Sequence, residues 1–190
     1  MQIEELRNIL GGEFAFIFNE LSTVLQGLKL ERTANILDIG TGMGRMAIIL
    51  ALNGYNVTTG EPEEDKSEYA KKEWLKYAKK AKVDHLITYT PFNAEKMPFE
   101  NASFDAIFIL GALHHIGDIK EALKESIRIL KKTGIICIFE PNSKLIKIIR
   151  QGKHPSHPDP INPREYVRDL GLSIDVTKLK YYNAYLLRKK

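Results

Sequence analysis

Short apolar segments that alternate with helical stretches constrain this chain more than any other feature. Residues 34–39 read as a strand, 44–52 as a helix and 55–60 as a strand. A long charged helix follows at 63–82, with Tyr69, Trp74 and Tyr77 among its candidate buried positions, and then a third strand at 85–90. The alternation continues with a strand at 104–110, a helix at 118–131 capped by Asp118, and a strand at 134–140. The runs AIFIL and IICIF are apolar throughout, as strands covered on both faces must be. Strict alternation predicts a mostly parallel sheet with helices on both faces, whose ligands sit beyond the C-terminal strand ends where strand order reverses. Strands at 172–178 and 180–187 bring the count to seven and close the sheet, the last one antiparallel.

The flanking segments are less regular. An amphipathic helix at 13–28 opens the chain, with Phe14, Ile17, Phe18, Leu21, Val24, Leu25 and Leu28 at helical spacing. Phe14 and Phe18 are expected in the core, and Phe16 joins them as a candidate lid. After Pro141 the pattern loosens into a proline-rich loop at 152–163, and Asn162-Pro163 reads as the start of a helix reaching 170. Tyr181, Tyr182 and Tyr185 are expected to pack.

Composition sets outer bounds. A chain of 190 residues suits one core, so one domain is expected. The single cysteine, Cys137, lies within an apolar run and excludes an internal disulfide or a cysteine-based metal site. No run reaches the roughly 18 to 20 apolar residues of a spanning helix, and the N-terminus lacks a signal-peptide layout, so a cytoplasmic protein without membrane insertion is expected. The formal charge of +4 permits RNA as a partner without indicating it.

The chemistry concentrates in residues 36–44, ILDIGTGMG, an apolar strand running into a glycine-rich turn that opens a helix. Glycine permits backbone dihedrals closed to other residues and lets a ligand approach the main chain, while the helix N-terminus presents unpaired N–H groups. A dinucleotide fingerprint would place a third glycine where Arg45 stands, which counts against a nicotinamide oxidoreductase. Glu61 follows the second strand directly, where a carboxylate can accept both hydroxyls of a ribose. Glu63, Glu64 and Asp65 read as first-turn helix charges.

Further motifs follow in order: Asn93-Ala94-Glu95-Lys96-Met97-Pro98-Phe99, Ser103-Phe104-Asp105-Ala106, Leu113-His114-His115-Ile116, Glu121-Ala122-Leu123 and Arg128-Ile129-Leu130-Lys131. With ILDIGTGMG and Glu61, this series resembles the class I S-adenosylmethionine-dependent methyltransferases, especially the small-molecule group that includes ubiquinone and menaquinone biosynthesis enzymes. The resemblance covers about residues 34 to 140. It implies a Rossmann-like α/β three-layer sandwich, with a helical cap at 1–30, a cofactor-binding core at 34–140 and a substrate-side segment at 141–190. It also implies S-adenosyl-L-methionine as cofactor. Gly40, Gly42 and Gly44 would pass close to its methionine part, Asp38 would orient that zwitterion, and Glu61 would hold the ribose. Asn93 and the Ala94 backbone would read the adenine edge, and the carbonyl near Leu110 would face the ammonium group. Asn93 replaces the family's usual Asp, removing a charge but keeping an acceptor oxygen. Lys132-Thr133-Gly134 stands where the family has Pro-Gly-Gly, in a turn expected before the fifth strand.

Methyl transfer is an in-line displacement that the cofactor makes favourable, so a dedicated base is optional. His114 and His115 are the candidate catalytic residues, since an imidazole can take a proton from an oxygen or nitrogen nucleophile. A loop and packing role for the pair stays open. His154 and His157 form His-Pro-Ser-His-Pro with only Asp159 nearby to complete a ligand set, so a solvated loop is expected and no metal site. Acceptor specificity lies in segments without a motif. A small-molecule acceptor is expected; an RNA or protein methyltransferase, and a non-catalytic cofactor-binding subunit needing a partner, stand as alternatives.

Overall fold

The computed structural model describes residues 12–64 (with side chains from residue 17 on), 73–152 and 154–190. Seven strands lie in one sheet in the order β3-β2-β1-β4-β5-β7-β6. They are β1 (Ile36–Ile39), β2 (Val57–Gly60), β3 (Ile87–Tyr89), β4 (Phe104–Leu110), β5 (Leu130–Pro141), β6 (Leu172–Lys178) and β7 (Tyr182–Lys189). The helices are α1 (Gly12–Leu28), α2 (Arg45–Leu52), α3 (Trp74–Lys80), α4 (Ile119–Ile129), α5 (Ser143–Gln151) and α6 (Arg164–Val167). This is the mostly parallel α/β sheet that the alternation predicts, with the last strand antiparallel to its neighbours. The chain divides into two compact units between Pro91 and Phe92.

In the first unit β1 pairs in parallel with β2, from Ile36 opposite Val57 to Ile39 opposite Gly60, and β2 pairs in parallel with β3. Every residue of β1 is buried. The helix after it, α2, buries Met46 through Ala51 without a break, so it is apolar all round rather than striped. Each large side chain sequestered this way contributes about 1.5–3 kcal/mol. Asn53 and Gly54 end the helix, the latter at φ +85°.

In the second unit β4 and β5 are parallel, and β7 runs antiparallel to β5 and β6. Ala106, Ile107, Phe108 and Ile109 of β4 and residues 135–139 of β5 are buried, the core expected from their apolar runs. Asp118 caps α4 as expected, accepting from the Glu121 N–H at 2.9 Å. Buried Ala122, Leu123, Ser126 and Ile129 form one stripe of that helix.

Several expectations need correction. Of the helix expected at 63–82, only Trp74–Lys80 is helical among the described residues, Glu63 and Glu64 lie in a turn, and Asp65 and Tyr69 fall outside them. Trp74 and Tyr77 are half-buried. The strand at 85–90 shortens to three residues behind a 3-10 turn. Residues 132–134 form no separate turn: they lie inside β5, which advances from Leu130 to Ile135 while β4 advances only from Phe104 to Ala106. Gly134 sits in this bulge, where a Cβ would meet Leu130 Cδ1 at 2.7 Å and the Asp105 carbonyl at 2.9 Å. The sequence pattern does not reveal α5, whose Asn142 cap accepts from the Lys144 and Leu145 N–H groups and which buries only Ile146. The helix expected from 162 to 170 contracts to Arg164–Val167. Phe18 is half-buried rather than core, and Phe14 and Phe16 lie outside the described side chains. Tyr182 and Tyr185 are buried as expected, Tyr181 half-buried. Among the described residues no helix is long and apolar enough to cross a membrane.

Candidate active site

In the first unit the chain leaves β1 through Gly40, Gly42 and Gly44, which take φ of +90°, +47° and +73°. Gly44 is needed twice over: its φ is left-handed, and a Cβ there would lie 2.8 Å from Trp74 Cβ. The Gly44 N–H closes the turn by donating to the Thr41 carbonyl at 2.6 Å, and the Gly44 carbonyl accepts from the Ile48 N–H at 2.8 Å. Across from the turn, at the end of β2, the buried Glu61 accepts from the Gly42 N–H through Oε2 at 2.8 Å. A carboxylate on a backbone N–H of the turn ties the two strand ends together.

Asp38 is fully buried beneath this turn. The Thr59 hydroxyl donates to its Oδ2 at 2.8 Å, which obliges Thr41 to donate to Thr59 Oγ1 at 2.9 Å. Asp38 Oδ1 has no hydrogen-bond partner among the described residues. Burial pushes the Asp38 carboxyl up to about 7, with the Thr59 hydrogen bond and, more weakly, the Ala47 N–H opposing and the Glu61 charge adding to the rise. Thr41 and Thr59 escape the sequence reasoning, although Thr59, inside the largely buried strand VTTG, marks a polar group that requires a partner. Tyr89, at the end of β3, escapes it as well. Its ring stacks on Trp74 at 5.8 Å, and burial, then the charges of Glu61 and Glu63, raise its hydroxyl above the usual range.

In the second unit, Asn93 and Ala94 belong to a tight turn. Asn93 is exposed and its Oδ1 accepts from the Glu95 N–H at 2.8 Å, while Ala94 is buried. The segment is pinned by Arg128, whose guanidinium donates to the carbonyls of Met97 and Phe99 and to Asn101 Oδ1 and is paired with Glu125. Glu125 also accepts from the Met97 N–H. Leu110 ends β4 and is followed by Gly111 at φ +58°, whose N–H bonds the Phe139 carbonyl at 2.8 Å.

A 3-10 turn over Leu113–His115 then carries His114 and His115. His114 Nδ1 lies 2.8 Å from Glu140 Oε2, and both side chains are only 1% exposed. The Ile161 N–H reaches the same oxygen at 3.3 Å. Because a carboxylate oxygen accepts, His114 donates from Nδ1, and a neutral ring then presents a lone pair at Nε2. That Nε2 is buried and without a partner among the described residues, as is Glu140 Oε1.

His157 corrects the expectation that the 152–163 loop is solvated. It is 8% exposed and joins the other two histidines, with ring centroids 5.1 Å from His114 and 5.6 Å from His115. Its Nδ1 lies 2.9 Å from the Pro158 carbonyl, and burial lowers its basicity. Asp159, the carboxylate considered with it, instead pairs with Arg150 at 2.8 Å. Glu140 escapes the sequence reasoning too, although an acid ending the apolar run IICIFE calls for a buried partner.

The structure therefore brings Asp38, Gly40, Gly42, Gly44 and Glu61 together in the first unit, and His114 and His115 together with Glu140 and His157 in the second. A family described as a methyltransferase domain matches residues 37–138. The ubiquinone/menaquinone biosynthesis C-methyltransferase of Rickettsia massiliae is 34% identical over 116 residues, which cover 55% of this chain and 44% of that protein. The counterpart from Rickettsia bellii is 33% identical over 114 residues with the same coverage. The chain thus spans less than half the length of these curated relatives. Among solved structures, a putative S-adenosyl-L-methionine-dependent methyltransferase from Methanococcus maripaludis superposes with a TM-score of 0.76 at 20% identity, covering 99% of this chain and 92% of that one. A SAM-dependent methyltransferase from Aquifex aeolicus gives 0.70 at 18% identity, covering 98% of both chains.

Proposed function

The chain belongs to the methyltransferase-domain family, and on that premise we propose that it transfers a methyl group from S-adenosyl-L-methionine to a small-molecule acceptor. The observation that carries the proposal is the glycine turn of the first unit, locked to Glu61 through the Gly42 N–H. The turn fits the cofactor in chemistry: Asp38 Oδ1 is a buried acceptor awaiting a donor, and the main chain at Gly40 and Gly42 carries no side chain to obstruct a ligand. Asp38 would orient the cofactor's ammonium group and Glu61 its ribose hydroxyls. Asn93, Ala94 and Leu110 retain the roles that the resemblance gives them, with Asn93 Oδ1 already serving the Glu95 N–H. When bound, S-adenosylmethionine supplies a methyl group on a sulfonium centre, open to in-line displacement.

The residues of this chain would bind, align and keep water away. His114 and His115 are assigned to the acceptor side. Glu140 holds the His114 ring in the tautomer whose Nε2 lone pair receives a proton or a Lewis acid. The names of the curated relatives, enzymes of quinone biosynthesis, support a small-molecule acceptor. A cytoplasmic location belongs to the same proposal.

Calorimetric titration with S-adenosylmethionine and S-adenosylhomocysteine, beside NADH, tests the reading. Both sulfur ligands are expected to bind the wild type and to bind Glu61→Gln and Glu61→Ala at least about tenfold more weakly, a loss of about 1.4 kcal/mol. Absence of binding by a folded wild-type protein, or preference for NADH, overturns it.

A further inference from the structure

Three histidines from two sequence-distant segments converge in the second unit. Among the described residues, one ligand atom from each of His114, His115 and His157 lies within 4.8 Å of the other two. Ring nitrogens around a single tetrahedral zinc, at bonds of about 2.0–2.1 Å, stand about 3.3–3.4 Å apart, so a closure of about 1.5 Å at most would bring the three into register. His114 and His115 are adjacent on one 3-10 turn, and His157 arrives from the loop between α5 and α6.

Packing alone accounts poorly for the chemistry of this cluster. An imidazole Nε2 that is buried with no hydrogen-bond partner destabilises the fold unless a donor or a metal ion takes up its lone pair. His114 meets that description, and its other nitrogen is held by a carboxylate at 2.8 Å. A carboxylate on the far nitrogen is the arrangement that fixes the tautomer of a metal-ligating histidine and raises its basicity. Glu140 is itself oriented by the Ile161 N–H, so the support is built from β5 and from the chain leading into α6.

We infer that His114, His115 and His157 form a binding site for a divalent transition-metal ion of the zinc class, with Glu140 orienting His114 and one coordination position left to solvent or to an oxygen ligand. Three imidazoles with an open fourth position suit zinc, and the same donor set accepts cobalt as a probe. The site shares His114 and His115 with the acceptor side of the proposed methyl transfer, but its test uses neither cofactor nor acceptor, so the two readings stand or fall separately.

The 190-residue chain, stripped with a chelator and dialysed, is titrated with Zn²⁺ by calorimetry and with Co²⁺ by visible absorption. The expected result is one Zn²⁺ per chain and an intense tetrahedral-type cobalt spectrum. Both should weaken at least about tenfold in His157→Gln and in His115→Gln. His154→Gln, outside the cluster but in the same loop, should bind as the wild type does. Circular dichroism and melting curves confirm that each variant is folded. No zinc binding by the wild type, or binding equally strong in His157→Gln and His115→Gln, or a weak octahedral cobalt spectrum, overturns the site.

Discussion

Replacing Asp38 with asparagine should remove a pH-dependent loss of stability built into the centre of the first unit. The Asp38 carboxyl rises from its ordinary 3.8 to about 7, chiefly because it is fully buried. Below pH 3.8 the folded and unfolded chains both hold the proton, and the group adds no pH dependence. Between 3.8 and about 7 the unfolded chain releases the proton while the folded chain keeps it, so stability falls by about 1.4 kcal/mol for each pH unit. Above about 7 the whole cost, about 4 kcal/mol, is in force. The asparagine would keep an acceptor oxygen for the Thr59 hydroxyl and lack the ionisation. Its own fitting cost is the same at every pH, and the other titrating groups are shared with the wild type. The stability of wild type relative to Asp38→Asn should therefore fall by about 3 kcal/mol from about pH 5 to about pH 8. In urea unfolding followed by circular dichroism this moves the gap between midpoints by about 1 M, at a slope of about 2–3 kcal/mol per M. A gap that stays constant across that range refutes the burial argument.

Four other outcomes can be checked. If Asp38 meets the cofactor's ammonium group, S-adenosylmethionine binding at about pH 6 releases a proton, seen as a calorimetric heat that changes with the ionisation enthalpy of the buffer; a buffer-independent heat counts against that contact. Gly44→Ala forces a side chain into the left-handed region and against Trp74. A loss of about 2–3 kcal/mol and a lower melting temperature are expected, with altered fluorescence of the single tryptophan, and an unchanged melt would contradict the crowding. Arg128→Ala removes three bonds that pin residues 97–101 and should cost about 2–3 kcal/mol by chemical denaturation, while Arg128→Lys should recover little of this, because an ammonium lacks the fork that reaches all three acceptors. The Cys137 thiol is fully buried and pushed far above its ordinary range, so a disulfide reagent at about pH 8 should label it only at the rate of unfolding; rapid labelling of the native protein would show that β5 is open.

Local sequence is enough for the features that short-range physics dictates. The apolar runs at 104–110 and 135–139 announce buried strands because a two-sided sheet leaves no polar alternation. The glycines at 40, 42 and 44 announce a turn that other residues cannot make, and Asp118 announces a helix start. Glu61 is legible from its place after a strand, though its bond to the Gly42 N–H is not. The sequence fails where a signal is weak or divided: α5 buries one residue, and the bulge at 132–134 depends on how far β5 slides along β4. Asp38 reads as a motif residue from its neighbours, but its basicity comes from complete burial, tempered by the hydrogen bond from Thr59. The histidine cluster shows the same limit most clearly. His114-His115 and His157 lie far apart in the chain, Glu140 ends an otherwise apolar strand, and each has an ordinary explanation alone. Only the packing of β4, β5 and the loop after α5 makes them neighbours, because a contact between distant segments is set by long-range burial that no local pattern encodes.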